Sequence, residues 1–396
     1  MRNVQLNAWL DAVSRPTAAA FVGLFVCFAL LRSSLVTVLP LAAHEVFGDA
    51  QRVSLMYFAV SVFALIGSFG IPLLVHRLRR RTVLTLGAAL GVAAPWLMAV
   101  GGKWPLIAGM GLHTLAVGTL EVTLSLYVMD HIPRRELNNF EPTRVFFTAG
   151  IWTLGPWFGV WLGVNVGAMA PFALASFAAA SLLAYFWYLR ATDSPAVAPR
   201  RKPTPNPLTY MPRFFAQKRL LLAWSLAVGR ASWWSMFFIY APIYVVTAGL
   251  GEVFAGAVVS MSTASFFLVP LWSRFARRRG LRLLLIIGYV GTGAATLLVA
   301  ILMKNAGLGT AALLLAAIMA GVIDAAGNVP FLRAVHPHDR PEMTTAYNTY
   351  RGVAQIITPG VFSVLLKLFE LPAVFVAGGV TMLALARWCR FLPKRL

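Results

Sequence analysis

Long apolar stretches recur twelve times along this 396-residue chain, and they constrain its fold more than any other feature. Each is about twenty residues long, which at ~1.5 Å per helical residue is enough to cross a bilayer core of ~30 Å. Twelve crossings leave both ends of the chain on the same side of the membrane. The predicted spans are 20–41, 53–75, 83–100, 105–129, 145–164, 169–189, 220–246, 254–273, 282–303, 309–332, 344–366 and 373–390.

The overall composition is typical of a protein that crosses the membrane many times. Hydrophobic residues make up 59% of the chain, charged residues make up 12%, and the mean hydropathy is +0.75. A soluble domain has about 25% charged residues, so the composition excludes an ordinary soluble protein. The two cysteines, Cys27 and Cys389, lie far apart and Cys27 is in an apolar stretch. We therefore expect neither a disulfide nor redox chemistry.

The net charge of +21 would suggest nucleic-acid binding in a soluble protein, but its distribution has another explanation. With a cytoplasmic N-terminus, the cytoplasmic segments hold 27 Lys and Arg and the outside loops hold four. Cytoplasmic loops of membrane proteins concentrate these residues. The sequence therefore predicts a multi-pass protein of the inner (plasma) membrane with both termini in the cytoplasm. Its first apolar stretch lacks a cleavage motif and is expected to be a retained helix.

A basic, proline-rich segment over 190–219 divides the spans into two sets of six. It contains seven of the 34 Lys and Arg residues and lies between long apolar runs. Such a segment buries too little apolar surface to offset its ordering entropy, so we expect an irregular, solvated linker. The predicted domains are an N-terminal six-helix bundle (1–189) and a C-terminal six-helix bundle (220–396).

The two halves resemble one another at corresponding spans. Similar residues recur at a nearly constant offset, which indicates an internal duplication. Two six-helix halves joined by a cytoplasmic linker are the layout of one large class of secondary transporters. The clearest matches are Arg32 with Arg230, Glu121 with Asp324, and Pro156 with Pro359, at offsets of 198, 203 and 203.

The loops after spans two and eight carry basic clusters that are similar to a Gly-x-x-x-Asp-Arg-x-Gly-Arg-Arg motif. On this motif, and over its whole length, the chain resembles the major facilitator superfamily (MFS). His76 stands at the motif's Asp position and Arg79 at its second Gly. The resemblance implies a gating or structural role for the clusters; binding to anionic lipid and a pure topology signal are the alternatives. The cluster residues are Arg77, Arg79, Arg80, Arg81, Arg277, Arg278 and Arg279.

Span five contains Gly155, Pro156 and Gly159, which are similar to the Gly-Pro-x-x-Gly motif of the drug:proton antiporter-like branch. In span four, Thr114 stands where that branch has the Arg of an Arg-x-x-Gln-Gly motif. The resemblance implies proton-coupled antiport. The alternative is that the glycines allow close helix packing and the proline a kink, a role that Pro359 would repeat in span eleven.

Four ionisable residues lie within spans one, four, seven and ten: Arg32, Glu121, Arg230 and Asp324. Ionisable groups are costly inside a membrane, so they are expected to face a partner or a cavity. The resemblance implies that these spans line a central substrate cavity. Counting ~1.5 Å per residue from the cytoplasmic ends places the arginines roughly 16 Å and the acids roughly 12 Å deep, which allows one pair in each half. The acids are then either proton carriers or, with the arginines, static clamps.

Other polar and aromatic side chains are secondary candidates for the cavity. The position of each suggests one role: proton relay two turns from Glu121, stacking on a ligand beside Arg230, orientation of Asp324, and gating from the cytoplasmic side in span eleven beside Tyr350. Ordinary packing is the alternative for the histidine and the tryptophans, and substrate binding is the alternative for the asparagine. In that order they are His113, Trp233 with its neighbour Trp234, Asn328, and Arg351 with Gln355.

These patterns predict an all-α membrane protein with twelve transmembrane helices in two pseudo-symmetric bundles, the MFS fold. The predicted function is secondary active transport by alternating access, namely proton-coupled efflux of small organic, drug-like molecules. Uptake of an organic anion and a non-transporting receptor, scaffold or intramembrane enzyme are the alternatives. We expect no enzymatic activity, cofactor, metal or nucleic acid, and we expect a monomer whose partners are its substrate, protons and anionic lipid at the cytoplasmic face.

Overall fold

The computed structural model describes residues 16–132, 134–191, 207–336 and 339–392, which are helical with short connections and contain no strand. The N-terminal tail, the centre of the predicted linker (192–206) and the last four residues lie outside the described part. The α-helices are α1 Pro16–Ser33, α2 Val38–Phe47, α3 Ala50–Arg77, α4 Arg80–Ala99, α5 Lys103–His131, α6 Arg134–Asn165, α7 Ala170–Ala191, α8 Pro207–Phe215, α9 Lys218–Thr247, α10 Glu252–Ala264, α11 Val269–Arg279, α12 Leu281–Leu302, α13 Ala306–Asp324, α14 Val329–Ala334, α15 Arg340–Leu368 and α16 Pro372–Trp388.

Eleven helical stretches in the described residues are long and apolar enough to cross a membrane. The predicted seventh span, 220–246, is not among them, although it forms the 30-residue helix α9. Arg230 and the neighbouring Trp233 and Trp234 reduce its hydropathy, but not its length. The helices coincide with all twelve predicted spans, and the predicted all-α membrane fold is confirmed.

Three of the predicted spans are interrupted rather than continuous. Residues 34–37 separate α1 from α2, a 3₁₀ turn at Ser265–Leu268 separates α10 from α11, and residues 325–328 separate α13 from α14. Gly327 in the third break has a φ of +52°, a left-handed conformation that favours glycine. Broken helices at membrane depth occur where protein or a cavity surrounds them, so the breaks mark candidate functional positions.

By its internal contacts the chain divides into two compact units. The first comprises Met1–Leu39 and Val62–Pro203, and the second comprises Pro40–Ser61 and Thr204–Leu396, each taken over its described residues. The second unit thus includes α2 from Pro40 onward and the first part of α3.

The same packing pattern occurs inside each unit. In the first, α1 packs on α5, α6 and α7, and α4 packs on α5 and α7. In the second, α9 packs on α13, α15 and α16, and α12 packs on α13 and α16. These helices hold corresponding places in the two sets of six spans. The internal repeat inferred from sequence is therefore a repeat of helix packing.

The predicted irregular linker is wrong for Pro207–Phe215, which forms helix α8 and packs on α9 and α15. Phe214 is fully buried in a cluster that includes Phe331 and Tyr347. Arg213 Nη2 lies 3.1 Å from Asp339 Oδ2. The segment has a helical apolar face, and burying that face offsets the entropy that ordering it costs.

Candidate functional site

A buried ion pair joins α9 to α13 in the second unit. Arg230 Nε lies 3.4 Å from Asp324 Oδ1, and the two side chains are 11% and 21% exposed. Asp324 is the last residue of α13 and directly precedes the break at 325–328. The helix end therefore positions a carboxylate beside the guanidinium.

Further hydrogen bonds fix this pair. Trp234 Nε1 donates to Asp324 Oδ2 at 2.7 Å. Arg230 Nη1 donates to the carbonyl oxygen of Gly327 at 3.2 Å, and Nη2 donates to Tyr350 Oη at 3.4 Å. The break in the helix supplies the carbonyl, since residue 327 lies outside any α-helix. A network in which both charges have several partners is rigid and specifies one arrangement.

The corresponding pair in the first unit is looser. Arg32 Nη1 lies 3.8 Å from Glu121 Oε2, and the two side chains are 34% and 37% exposed. The Arg32 guanidinium carbon lies 5.5 Å from the ring centroids of both Phe28 and Trp152. Arg32 also comes just before a helix break, at 34–37. The first unit thus presents an accessible cation, carboxylate and two aromatic rings together.

The difference between the pairs determines what each can do. A carboxylate whose cationic partner is accessible and lies 3.8 Å away can release that partner when a proton or a ligand arrives. A buried carboxylate held by both a guanidinium and an indole has more contacts to give up before it can exchange partners. Glu121 is therefore better suited than Asp324 to exchange partners, and Asp324 to hold helices together.

The glycines of the span-five motif lie where α6 crosses the end of α1. A Cβ atom on Gly155 would overlap the Ser33 side chain, and one on Gly159 would overlap the backbone carbonyl oxygen of Ser34. Both glycines are therefore required for close helix approach. Pro156 lies between them inside α6, and Pro359 lies inside α15.

The two basic clusters have different surroundings. Arg80, at the start of α4, forms an ion pair with the buried Asp130 near the end of α5, which neutralises one of the four arginines in the first cluster. Arg77 and Arg79 are exposed, whereas Arg81 is half-buried. In the second cluster, at the end of α11, three arginines are exposed: Arg277, Arg278 and Arg279.

Two of the secondary candidates have partners other than the ones expected from sequence. The Trp233 Nε1 atom donates to Thr296 Oγ1 at 2.9 Å, and the ring stacks on Phe237 rather than lying beside the ion pair. Asn328 Oδ1 accepts from the Tyr347 hydroxyl at 3.4 Å. Trp234, not Trp233, is thus the indole that contacts Asp324.

The remaining secondary candidates lie in three different environments. Arg351 is exposed, and its Nε donates to Tyr350 Oη at 3.1 Å, which links it to the partner of Arg230. Gln355 is exposed one turn further along α15. His113 is buried, and its Nδ1 has no hydrogen-bond partner among the described residues. The structure brings Arg351 close to the second pair through Tyr350.

Sequence reasoning missed three partners in these networks. Tyr350 was expected to lie beside Arg351 but not beside Arg230. The Gly327 carbonyl depends on a helix break that hydropathy does not reveal. No sequence spacing links Asp130 to Arg80. The described residues contain no group of three or more His, Cys, Asp or Glu that would hold a metal ion. The sequence His336-Pro-His-Asp339 resembles a short metal-binding tract, but its residues 337 and 338 lie outside the described part.

Comparison with known proteins gives a family match and several structural matches. The sequence profile described as "Major Facilitator Superfamily" matches residues 21–267 and 257–396. No curated protein matches the chain significantly. The chain is similar in structure to nucleoside transporter NupG, with 14% identity, a TM-score of 0.75, and coverage of 96% of this chain and 99% of that one.

Two further structural matches are POT family transporters. One is in complex with 5-aminolevulinic acid, with 11% identity and a TM-score of 0.74, and the other with a thioalcohol-conjugated peptide, with 12% identity and a TM-score of 0.71. Each match covers 93% of this chain and 94% of the other. At these identities the likeness establishes the fold and not the substrate.

Proposed function

The chain belongs to the Major Facilitator Superfamily and is a secondary transporter, and we propose that it exports small, partly apolar organic molecules in exchange for protons. The observation that carries this proposal is the loose Arg32–Glu121 pair beside Phe28 and Trp152. It places an exchangeable carboxylate next to aromatic surface. The antiporter-like motif at Gly155–Gly159 agrees with this direction of transport, and the branch assignment stays a prediction.

In this mechanism the proton and the substrate compete for Glu121. While Glu121 is ionised, Arg32 stabilises its charge, and a substrate with a donor or cationic group binds the carboxylate with its apolar part on the two rings. Protonation removes that charge and weakens the hold on the substrate. A site that binds one or the other, but not both, exchanges them across the membrane.

The sequence left two roles open for the charged pairs, proton carrier or static clamp, and the second suits the Arg230–Asp324 pair. We assign it as a clamp that keeps α9 and α13 together during the conformational change, since both charges have further hydrogen bonds. Each half thereby contributes one pair with a different task. His113, buried in the same helix as Glu121, remains a candidate for relaying the proton.

The test is substrate-driven proton flux in proteoliposomes, with substrates first chosen by a compound-sensitivity profile of an overexpressing strain. Glu121→Gln, which mimics the neutral, protonated carboxyl, is expected to abolish proton flux and to weaken substrate binding. Glu141→Gln is the matched control, because Glu141 pairs with Arg144 of its own helix and lies outside both networks. Wild-type coupling in Glu121→Gln would remove this residue from the mechanism.

Uptake of an organic anion is the second candidate, and one observation favours it: Arg32 is accessible beside two aromatic rings. One of the structural matches holds 5-aminolevulinic acid, which carries a carboxylate. Anion uptake requires Arg32 as the counter-charge of the substrate. Arg32→Lys should then lower the affinity for the anion strongly, because Lys lacks the planar guanidinium that binds a carboxylate through two hydrogen bonds. Unchanged anion uptake in Arg32→Lys would argue against it.

The remaining parts of the proposal concern location and partners. We place the protein in the inner membrane with both termini cytoplasmic, as a monomer without cofactor, and with anionic lipid near the exposed arginines that end α11. A deletion strain that shows neither uptake nor efflux phenotypes would instead favour a receptor or scaffold.

A further inference from the structure

A cavity lies in the second unit, on the face of α9 opposite the Arg230–Asp324 pair. Its volume is about 380 Å³, and α9, α15 and α16 form its walls. The α9 residues that line it recur at three- and four-residue spacing, so they share one helical face, whereas Arg230 and Trp234 point to the other side. The lining residues of α9 are Trp224, Ser225, Val228, Gly229, Ser232, Trp233 and Met236.

The cavity walls are largely apolar and its rim is accessible. Ile357, Val361 and Trp388 line it and are each about half exposed. In helices that cross a membrane, exposed apolar side chains of this kind face lipid. The cavity therefore opens to the bilayer, and a ligand reaches it from the apolar phase.

One polar group in the cavity lacks a partner. Thr358 is 4% exposed, and its Oγ1 has no hydrogen-bond partner among the described residues. A buried hydroxyl that makes no hydrogen bond is unfavourable, because it has lost the bonds it would make to water. Thr381 lines the same cavity, but its hydroxyl donates to the carbonyl of Ala377 at 2.8 Å. Thr358 is thus a donor that a ligand can satisfy.

We propose that this cavity binds a lipophilic small molecule with one hydrogen-bond acceptor, which enters from the bilayer and accepts from Thr358. The volume lies in the range of small-molecule sites, which combine apolar walls with a few polar groups. The acyl chain of a phospholipid does not supply the hydrogen-bond acceptor that Thr358 requires. Thr358 lies twelve residues beyond Ala346, where the α15 span begins, so it is about 18 Å deep. At that depth an acyl chain offers no acceptor.

The experiment uses benzophenone, an apolar molecule with a single carbonyl acceptor that forms a covalent bond to nearby C–H groups on illumination. The full-length protein in nanodiscs is titrated with the probe, and the labelled residues are identified by mass spectrometry. Met236 and Met382 line the cavity and are the expected sites of saturable labelling. No transport is measured, so the result is independent of the proposed export function.

Three variants test the assignment. Thr358→Val keeps the shape of the side chain but removes the hydroxyl. It should raise the probe concentration needed for half-maximal labelling about fivefold, which corresponds to the loss of one hydrogen bond. Ala377→Phe fills the cavity and should abolish saturable labelling. Thr381→Val is the matched control and should label like the wild type.

Two outcomes would overturn the proposal. The first is labelling that does not saturate and is equally strong at Met129, Met169 and Met261, which are exposed methionines elsewhere. The second is loss of labelling in Ala377→Phe but not in Thr358→Val, which would identify the cavity as a groove for lipid tails. Since Thr358→Val is close to isosteric, it remains informative even if Ala377→Phe does not fold.

Discussion

Glu121 and Asp324 lie in corresponding spans, yet their carboxylates have different surroundings. Asp324 accepts a hydrogen bond from Trp234 and faces a guanidinium that has two further acceptors. Glu121 faces Arg32 at 3.8 Å with both side chains about one-third exposed. Removing one partner of a buried pair costs about 3–5 kcal/mol, whereas an accessible pair contributes about 0–1 kcal/mol.

Asp324→Ala is therefore expected to lower the free energy of unfolding by about 3–5 kcal/mol, because it leaves the buried Arg230 without its counter-charge. Glu121→Ala should cost no more than about 1 kcal/mol. Thermal unfolding of the two purified variants in the same detergent measures the difference. Equal destabilisation would mean that the first pair is also structural, and would weaken its proposed role in proton exchange.

The sequence predicted which charged residues meet, because a charge in a membrane span needs a partner and corresponding spans supplied one acid and one arginine. It did not predict how tightly each pair is held. That depends on the carbonyl of Gly327, which lies in the break after Asp324, and on the Tyr350 hydroxyl of α15. No local pattern distinguishes the two pairs.

At the scale of helices, apolar length predicted the spans but not their interruptions, since both sides of each break are apolar. The same limit applies to α8, where proline content suggested an irregular chain. Its order comes from tertiary burial of Phe214, which local composition does not report. The helices that follow from length alone were predictable, and those that depend on packing were not.

The contact of α6 with α1 gives the second prediction. Gly159→Ala places a methyl group against the backbone carbonyl of Ser34, which has little freedom to move, so folding yield and thermal stability should fall markedly. Gly150→Ala is the matched control: it lies in the same helix and its Cβ would meet nothing within 4 Å. Fluorescence-detected size-exclusion profiles of the two variants report the difference. Identical profiles would show that α6 and α1 are not so closely packed.

Docking of α8 gives the third prediction. Phe214→Ala removes a fully buried ring from the cluster and should cost about 3–5 kcal/mol, which is enough to release the short helix. Arg213→Ala removes an ion pair whose arginine is 57% exposed, although Asp339 is buried, and should cost less than the loss of the ring. Limited proteolysis should therefore cut within 207–215 faster in Phe214→Ala than in Arg213→Ala. Equal cleavage rates in the two variants would mean that burial of Phe214 is not what holds α8 in place.

At the scale of the whole molecule, each unit contains its own charged pair. Arg32 and Glu121 join α1 to α5 in the first unit, and Arg230 and Asp324 join α9 to α13 in the second. The repeated packing pattern means that these are corresponding helices. Each pair therefore contributes to cohesion within its own unit, which the proposed rocking of two repeats as rigid bodies would require.

Helix α12 provides a test of orientation, because the exposed residues Arg278 and Lys304 flank its two ends. Its 22 residues, Leu281–Leu302, span about 33 Å, so the flanking positions should lie on opposite sides of the membrane. The excess of Lys and Arg predicts a cytoplasmic position for Arg278. With Cys27 and Cys389 replaced by alanine, Lys304→Cys should react with an impermeant maleimide in intact cells, and Arg278→Cys only after permeabilisation. Permeabilised cells, in which both should react, are the control. The reverse pattern would invert the proposed topology, and labelling of both from one side would show that α12 does not cross the membrane.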